Sequence, residues 1–322
     1  MWPVKAMPSA LIAVRCTSSK RVRLLRTGTE LSPGPAHPAD ALDQVTVIVV
    51  TFNSAHCLPA LKTSLEKFAH IIVVDNGSDD GCAALTPSHL PQAQVLALSK
   101  NLGFGAANNR ALAQVQTPFA LLLNPDCEIT PQAVQQMLLT AKQWPDIAMV
   151  APQLLQPNGQ AEVNYRWPHL LWRSRGPAIT EGPACVGFVC GAAMLLRMSA
   201  FEGQFFDEQF FLYYEDDDLC TRLFNRHQAM VIDPSATATH RSRGSVRGKS
   251  PLRSEYLRGY HHAQSKLIYA RKYQSAAQAN TQRHKLLWQT ALVLPLRLLA
   301  YNPRLLARMW GRFKGVLNWK AS

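Results

Sequence analysis

The chain has 322 residues with 47% hydrophobic and 8% aromatic content, enough to bury one large core or two modest ones. Seven cysteines (16, 57, 82, 127, 185, 190 and 220) are scattered without a CxxC, which suggests neither a zinc site nor a disulfide framework and suits a reducing compartment. The net charge of +13 is uneven: residues 1–40 carry six Lys/Arg against two acids, 41–240 eleven against eighteen, and 241–322 seventeen against Glu255 alone. A basic tail on an acidic body implies an anionic partner, and its Leu and Trp content favours a lipid surface over nucleic acid.

Residues 1–44 are basic and then loop-like, and are expected to be a poorly ordered extension in which Met7 could be the true start. Residues 10–14 are too short for a signal-peptide core, and no run of 18 apolar residues predicts a transmembrane helix, so a cytoplasmic location is expected. From Val45 the pattern alternates. Strands are predicted at 45–50, 71–75, 95–99, 119–123 and 147–151, with helices near 55–69, 79–86, 105–116 and 131–143. Thr130 is a natural N-cap for the last of these. Strands alternating with short helices predict an α/β fold with a mostly parallel, doubly wound sheet. Residues 152–187 lose this rhythm and read as an irregular acceptor-side lobe. A strand at 190–197, a helix headed by YYEDDDLC (213–220) and a strand at 229–233 follow, and from Pro251 the chain reads as helical and basic.

The run LLLNPD (121–126) ends a buried strand at Pro125, which cannot donate to a ladder, and so leaves Asp126 at the strand's carboxyl end. Thr51-Phe52-Asn53 and Asp75-Asn76-Gly77-Ser78-Asp79 end two other strands of the same sheet, so the three clusters converge on one crevice. Neither a dinucleotide fingerprint nor a P-loop is present. The glycines in Asn101–Asn109 precede a helix, where backbone N–H groups suit phosphate; a tight turn with an Asn cap explains the spacing equally well. Within Glu215–Asp218, helical spacing puts Asp216 above Leu219, Cys220 and Leu223 on the apolar, inward face. Asp218 falls on a polar face four residues before Arg222. An inward carboxylate at a helix start suits a general base, while all four acids also suit a helix N-terminus electrostatically. His240 is either structural or, with Asp126, a ligand for a divalent cation.

VTVIVVTFN, VVDNGSDDG, NLGFGAANNRAL, LLLNPD, CGAAMLLR, FFLYYEDDDLCTRL and the later His240…Gly244-Ser245 resemble, in order and spacing, the family 2 inverting glycosyltransferases, nearest to a bacterial rhamnosyltransferase-like branch. The resemblance covers about 45–245 and implies a GT-A catalytic domain with a nucleotide-sugar half (45–151) and an acceptor half (152–245), followed by a basic amphipathic helical tail (246–322). It implies that Thr51, Asn53, Asp75, Asn76 and Ser78 line the nucleotide site, with Asp75 at the base, and that Asn101, Gly103 and Asn109 form the donor-side loop and helix. Asp126 and His240 would hold Mg²⁺ or Mn²⁺ on the diphosphate. Asn124 stands where many such enzymes have the first Asp of Asp-x-Asp, so fewer charges reach the cation. Asp216 of the Glu215-Asp216 pair would be the catalytic base, braced by Arg222.

The implied reaction moves a sugar from a nucleotide-sugar, dTDP-rhamnose first and UDP- or GDP-sugars as alternatives, to a lipid-linked or polysaccharide acceptor in cell-surface glycan synthesis. In the tail, Arg304, Arg308, Arg312 and Lys314 interleave with Leu, Met, Trp and Phe. This spacing predicts a helix on an anionic membrane surface, making the enzyme peripheral on the inner face of the bacterial plasma membrane. A nucleic-acid role for the tail is the rival reading from another class, and a degenerate scaffold a third. No nucleic-acid motif supports the former, and the Asp75, Asp126 and Asp216 set argues against the latter.

Overall fold

Continuous Val, Ile and Leu runs, buried on both faces, build the centre of the molecule. The computed structural model describes residues 41–166, 179–242, 244–247, 250–299 and 302–320. The expected N-terminal extension up to residue 40 and the centre of the expected irregular lobe, 167–178, lie outside them. In chain order the first half contains β1 (Val45–Thr51), α1 (Leu58–Leu65), β2 (His70–Asp75), α2 (Cys82–His89), β3 (Ala93–Ala97), α3 (Phe104–Leu112), β4 (Phe119–Leu123), β5 (Cys127–Ile129), α4 (Pro131–Gln143) and β6 (Ile147–Leu155). Short strands β7 (Ala161–Glu162), β8 (Tyr165–Arg166), β9 (Ala184–Val186) and β10 (Phe188–Val189) follow, then β11 (Ala193–Arg197), α5 (Glu215–Asn225) and β12 (Ala229–His240). Three helices finish the chain: α6 (Pro251–Tyr273), α7 (Ala276–Leu299) and α8 (Pro303–Leu317).

The main sheet runs β3-β2-β1-β4-β11-β6-β12-β5. Strands β3, β2, β1 and β4 are parallel, as the alternating pattern predicts. Strand β11 then enters antiparallel between β4 and β6, so residues before and after 152 share one sheet. The side chains of β1 alternate between two cores: Val45, Val47 and Val49 face one, Ile48 and Val50 the other. Thr130 caps α4 as expected, accepting from the Ala133 N–H at 3.2 Å with Pro131 in the first turn.

Helices α6–α8 form a packed unit with its own core of Ala263, Leu267, Ala270, Ala279, Leu286, Val316 and Trp319. Helix α7 runs on through Pro295. The closest approach is between α6 and α8. A Cβ on Gly311 would lie 1.9 Å from the Tyr256 carbonyl oxygen, and one on Gly259 would lie 1.9 Å from that of Arg308. The other side of α6 lies against α5 and the segment before it: Ser265 donates to the Leu212 carbonyl at 2.9 Å, and the Tyr269 and Thr221 hydroxyls meet at 2.7 Å. None of the described helices is long and apolar enough to cross a membrane.

Because the Tyr256 backbone blocks any side chain at residue 311, Gly311→Val is expected to cost about 1–3 kcal/mol or more of stability through overpacking. A thermal melt of the variant checks this. An unchanged midpoint would show that α6 and α8 can part there without loss.

Candidate active site

Parallel pairing places the carboxyl ends of β1, β2 and β4 on one edge, with Thr51 level with Asp75 and Val49 level with Leu123. There the side chains stitch the loops together. Asp75 Oδ1 accepts from the hydroxyls of Ser78 and, at 3.3 Å, Thr51. Asn53 sits in the left-handed region (φ 53°). Its N–H donates to Ser78 Oγ at 2.9 Å, and its side-chain oxygen accepts from the Asp79 N–H at 2.9 Å. Asn76 accepts from the Leu102 N–H at 2.8 Å and donates to Asn101 Oδ1 at 3.0 Å and the Gly103 carbonyl at 3.1 Å. The structure therefore brings Thr51, Asn53, Asp75, Asn76, Ser78, Asn101 and Gly103 into one connected cradle.

Gly103 (φ 94°) lets this cradle touch the far side of the site. A Cβ there would lie 2.3 Å from the Phe211 carbonyl oxygen, which accepts from the Phe104 N–H at 3.0 Å. Asn109 is placed differently from its neighbours in sequence. It accepts from the Phe206 N–H at 3.0 Å and donates to the Phe206 carbonyl and Glu208, so it clamps the loop leading to α5.

Beyond β4, Asn124 turns the chain with its backbone: its N–H donates to the Ala192 carbonyl, and its own carbonyl accepts from the Cys127 N–H, both at 2.9 Å. That turn presents Asp126, which is buried. Asp126 Oδ2 accepts from the Gly244 and Ser245 N–H groups, both at 2.9 Å, while Oδ1 is buried with no hydrogen-bond partner. His240 Nε2 lies 3.7 Å from that oxygen. An orphaned carboxylate oxygen facing an imidazole nitrogen fits a divalent cation. No three His, Cys, Asp or Glu side chains converge on a metal position among the described residues, so a cation here would draw its remaining ligands from elsewhere. His56 and Ser54 hold the 244–245 turn through its carbonyls at 2.7 and 2.6 Å. Glu162 Oε2 lies 3.6 Å from the other ring nitrogen of His240. These three residues carry no sequence signal, since their partners lie 78 to 191 positions away in the chain.

The second acidic cluster opens α5. Tyr213 and Tyr214 both hold left-handed backbone (φ 68° and 67°), a conformation costing about 1–3 kcal/mol each for side chains of this kind. That bend aims four carboxylates from one helix turn in different directions. Asp216 is half-buried; it accepts from the Gly191 N–H at 3.2 Å and from the Asp217 N–H at 2.9 Å. Burial first, and the Asp217 charge second, push its carboxyl up to about 7. Glu215 is buried with Oε2 unpartnered, and burial with the Asp216 charge raises it well above the usual carboxylate range. Asp217 pairs with Arg166. Together Arg166, Tyr213, Tyr214, Asp216, Asp217 and His262 line a cleft of about 240 Å³.

Asp218 corrects the face assignment made from helical spacing. Its pairing with Arg222 is present at 2.9 Å, yet it is fully buried and Asp216 is not. Helix α6 covers the polar face of α5, and Asp218 Oδ1 takes Lys272 Nζ at 2.6 Å and the Tyr273 hydroxyl at 2.7 Å. Arg222 goes on to the carbonyls of Gln204 and Phe205, bracing the loop ahead of α5. Arg166, His262 and the tyrosine pair were missed from sequence. A double Tyr directly before an acidic helix start is the one local signal that could have flagged part of this wall.

The sequence model of glycosyl transferase family 2 matches residues 46–205. An N-acetylglucosaminyl-diphospho-decaprenol L-rhamnosyltransferase of Mycobacterium tuberculosis is 28% identical over 255 residues, covering 68% of this chain and 82% of the relative. The low-salt glycan biosynthesis hexosyltransferase Agl10 of Haloferax volcanii is 27% identical over 207 residues, covering 60% and 66%. Among solved structures, GalNAc-T7 with UDP, GalNAc and Mn²⁺ superposes with a TM-score of 0.50 at 14% identity, over 75% of this chain and 54% of that one, a likeness of fold.

Buried Asp218 anchors three donors, and Asp218→Ala would leave the Lys272 and Arg222 charges without their buried partner. The expected loss is about 3–5 kcal/mol of stability, measured by urea unfolding. A loss within about 0.5 kcal/mol would mean that water replaces the carboxylate there.

Proposed function

The chain belongs to glycosyltransferase family 2 and has its GT-A fold, and from that membership we propose that it transfers a hexose, with inversion, from a nucleotide-sugar to a hydroxyl of a lipid-diphosphate-linked acceptor in cell-surface glycan synthesis. dTDP-rhamnose is the first donor to test, since rhamnosyltransferases stand among the relatives. The observation that carries the reading is Asp216, a half-open carboxyl at the cleft whose pKa of about 7 suits it to take a proton at neutral pH. The cradle from Thr51 to Gly103 binds the nucleoside diphosphate. A divalent cation, Mg²⁺ or Mn²⁺, held by Asp126 and His240 would neutralise the leaving diphosphate. Asp216 removes the proton from the acceptor hydroxyl, whose oxygen attacks the anomeric carbon opposite the nucleotide. One displacement with one base inverts the configuration, through an oxocarbenium-like transition state comparable to that of glycoside hydrolysis. Burial, and after it the charge of Asp217, keeps the pKa of Asp216 high.

Asp216→Asn is expected to cut transfer from dTDP-rhamnose to a rhamnosyl acceptor about 10²–10⁴-fold while donor binding persists. The base works in its ionised form and its pKa is raised. Wild-type kcat/KM should therefore climb as pH rises through about 7 and be lost below it, a limb shared with Glu215 and Asp217. Near wild-type turnover by Asp216→Asn would remove it as the base, and turnover with UDP- or GDP-sugars alone would replace the donor.

The same reading places the enzyme against the inner face of the plasma membrane. Helix α7 exposes Trp288 at 69% and Leu292 at 68%, with Val293 beside them, on a tail with seventeen basic residues and one acid. Apolar side chains flanked by cations suit an anionic lipid interface. Trp288→Glu with Leu292→Glu should abolish sedimentation with phosphatidylglycerol vesicles and leave nucleotide binding intact; undiminished sedimentation would refute the contact.

A further inference from the structure

His240 stands between two carboxylates, neither of which pairs with Lys or Arg among the described residues. Its Nε2 lies 3.7 Å from Asp126 Oδ1, and its Nδ1 lies 3.6 Å from Glu162 Oε2. Both of those oxygens are buried without a hydrogen-bond partner. Arg241, the next residue in the chain, is engaged by Glu128 at 2.7 Å.

The backbone fixes this juxtaposition from two directions. Strand β7 pairs antiparallel with β6, setting Glu162 level with Leu154, and the buried Gln153 amide donates to the Glu162 carbonyl at 2.9 Å. His240 ends β12, level with Cys127 of β5, and the Arg241 N–H after it donates to the Asp126 carbonyl at 2.9 Å. The carboxylate of β7 and the imidazole of β12 thus meet at a second cleft, of about 490 Å³, which Ser242 also borders.

The contacts of the ring choose its tautomer. Ser242 Oγ lies 3.2 Å from His240 Nδ1 and 3.5 Å from Glu162 Oε1, to which it donates. With the hydroxyl hydrogen given to Glu162, Nδ1 faces two acceptors, the Ser242 oxygen and Glu162 Oε2, so the ring proton belongs there. The other tautomer would turn the Ser242 hydrogen onto Nδ1 and leave both Glu162 oxygens without a protein donor among the described residues. It would also aim an N–H at Asp126 Oδ1 across 3.7 Å, too far for a hydrogen bond. With Nδ1 protonated, the Nε2 lone pair and the bare Asp126 oxygen confront each other. That pairing is repulsive alone and is satisfied by a divalent cation.

We propose that Glu162 is a positioning residue for the cation site: with Ser242 it holds the proton of His240 on Nδ1 and so leaves the Nε2 lone pair to the position shared with Asp126. The inference rests on reading Asp126 and His240 as the cation position. It sets a second carboxylate behind the single one that faces the ion.

The test uses the full chain labelled with ¹⁵N at histidine, at about pH 8, where an ordinary imidazole is neutral. The His240 signals are identified by their loss in His240→Gln. Proton–nitrogen correlations across the ring should show Nδ1–H in the wild type, the reverse of the form a free neutral imidazole side chain favours. Glu162→Ala should move His240 toward Nε2–H, and so should Ser242→Ala, at an exposed position where folding is not at stake. Mn²⁺ added to the same samples should broaden the His240 signals of the wild type at about 10–100-fold lower concentration than those of Glu162→Ala. A wild-type His240 with its proton on Nε2 overturns the proposal, as does an Nδ1–H form that Glu162→Ala and Ser242→Ala leave in place. Either result with the ring still broadened by Mn²⁺ strikes the role of Glu162 and keeps the cation position. A wild-type ring that Mn²⁺ leaves sharp removes the cation from Asp126 and His240 and overturns both readings.

Discussion

A single buried carboxylate, Asp218, joins the two parts of this molecule. It accepts from Arg222 on its own helix and from Lys272 and Tyr273 on α6, with no exposure to solvent. A charge so placed is tolerable only while every partner stays in position. The basic C-terminal helices are therefore more than an appendage to the sheet, because the first turn of α5 has its polar face sealed by them. Lys272 also reaches Asp207, and Arg222 reaches the carbonyls of residues 204 and 205, so the same knot fixes the loop that delivers the chain to Tyr213.

With Asp218 neutralised, its neighbours can diverge. Asp217 is answered by Arg166, whereas Glu215 has an oxygen with no partner and Asp216 has two backbone N–H groups. Like charges this close, partly removed from water, cannot all ionise easily, and Asp216, which borders the cleft without a cationic partner, holds a proton weakly at neutral pH. The sign matters for folding as well. Raised carboxyl pKa values mean that this turn is more stable protonated, and its contribution declines as pH rises through the folded-state values. The strained backbone at Tyr213 and Tyr214 adds to that cost, which is what a site poised for proton transfer would be expected to carry.

The donor half was legible because its signals are local. Continuous apolar runs ending in Asn, Asp and Pro located β1, β2 and β4 to within a residue or so, and parallel pairing then brought Thr51, Asp75 and Asp126 to one edge without further information. The second half was harder to read. Strand β11 carries nothing to announce that it runs antiparallel between β4 and β6, and β5 is three residues long. The sorting of Glu215–Asp218 by helical spacing failed at Asp218 for a physical reason: a polar face is an outward face only when nothing covers it, and α6 starts 33 residues after Asp218. Arg166 and His262 were out of reach for the same reason, their importance being a matter of tertiary neighbours.

The cradle at Gly103 and the turn that opens α5 are also directly linked. The Gly103 turn lies directly on the Phe211 carbonyl, and one helical stretch further on Asn109 grips the backbone at Phe206. Residues 204–212 are thus held from one side by the Gly103 turn and from the other by Arg222, Lys272 and Ser265. At Gly103 there is not even room for a methyl group. The same stretch leads directly into the left-handed turn at Tyr213 and Tyr214 and so to Asp216. The Thr51–Gly103 cradle and the Asp216 turn are therefore joined through one closely packed segment, backed by α6.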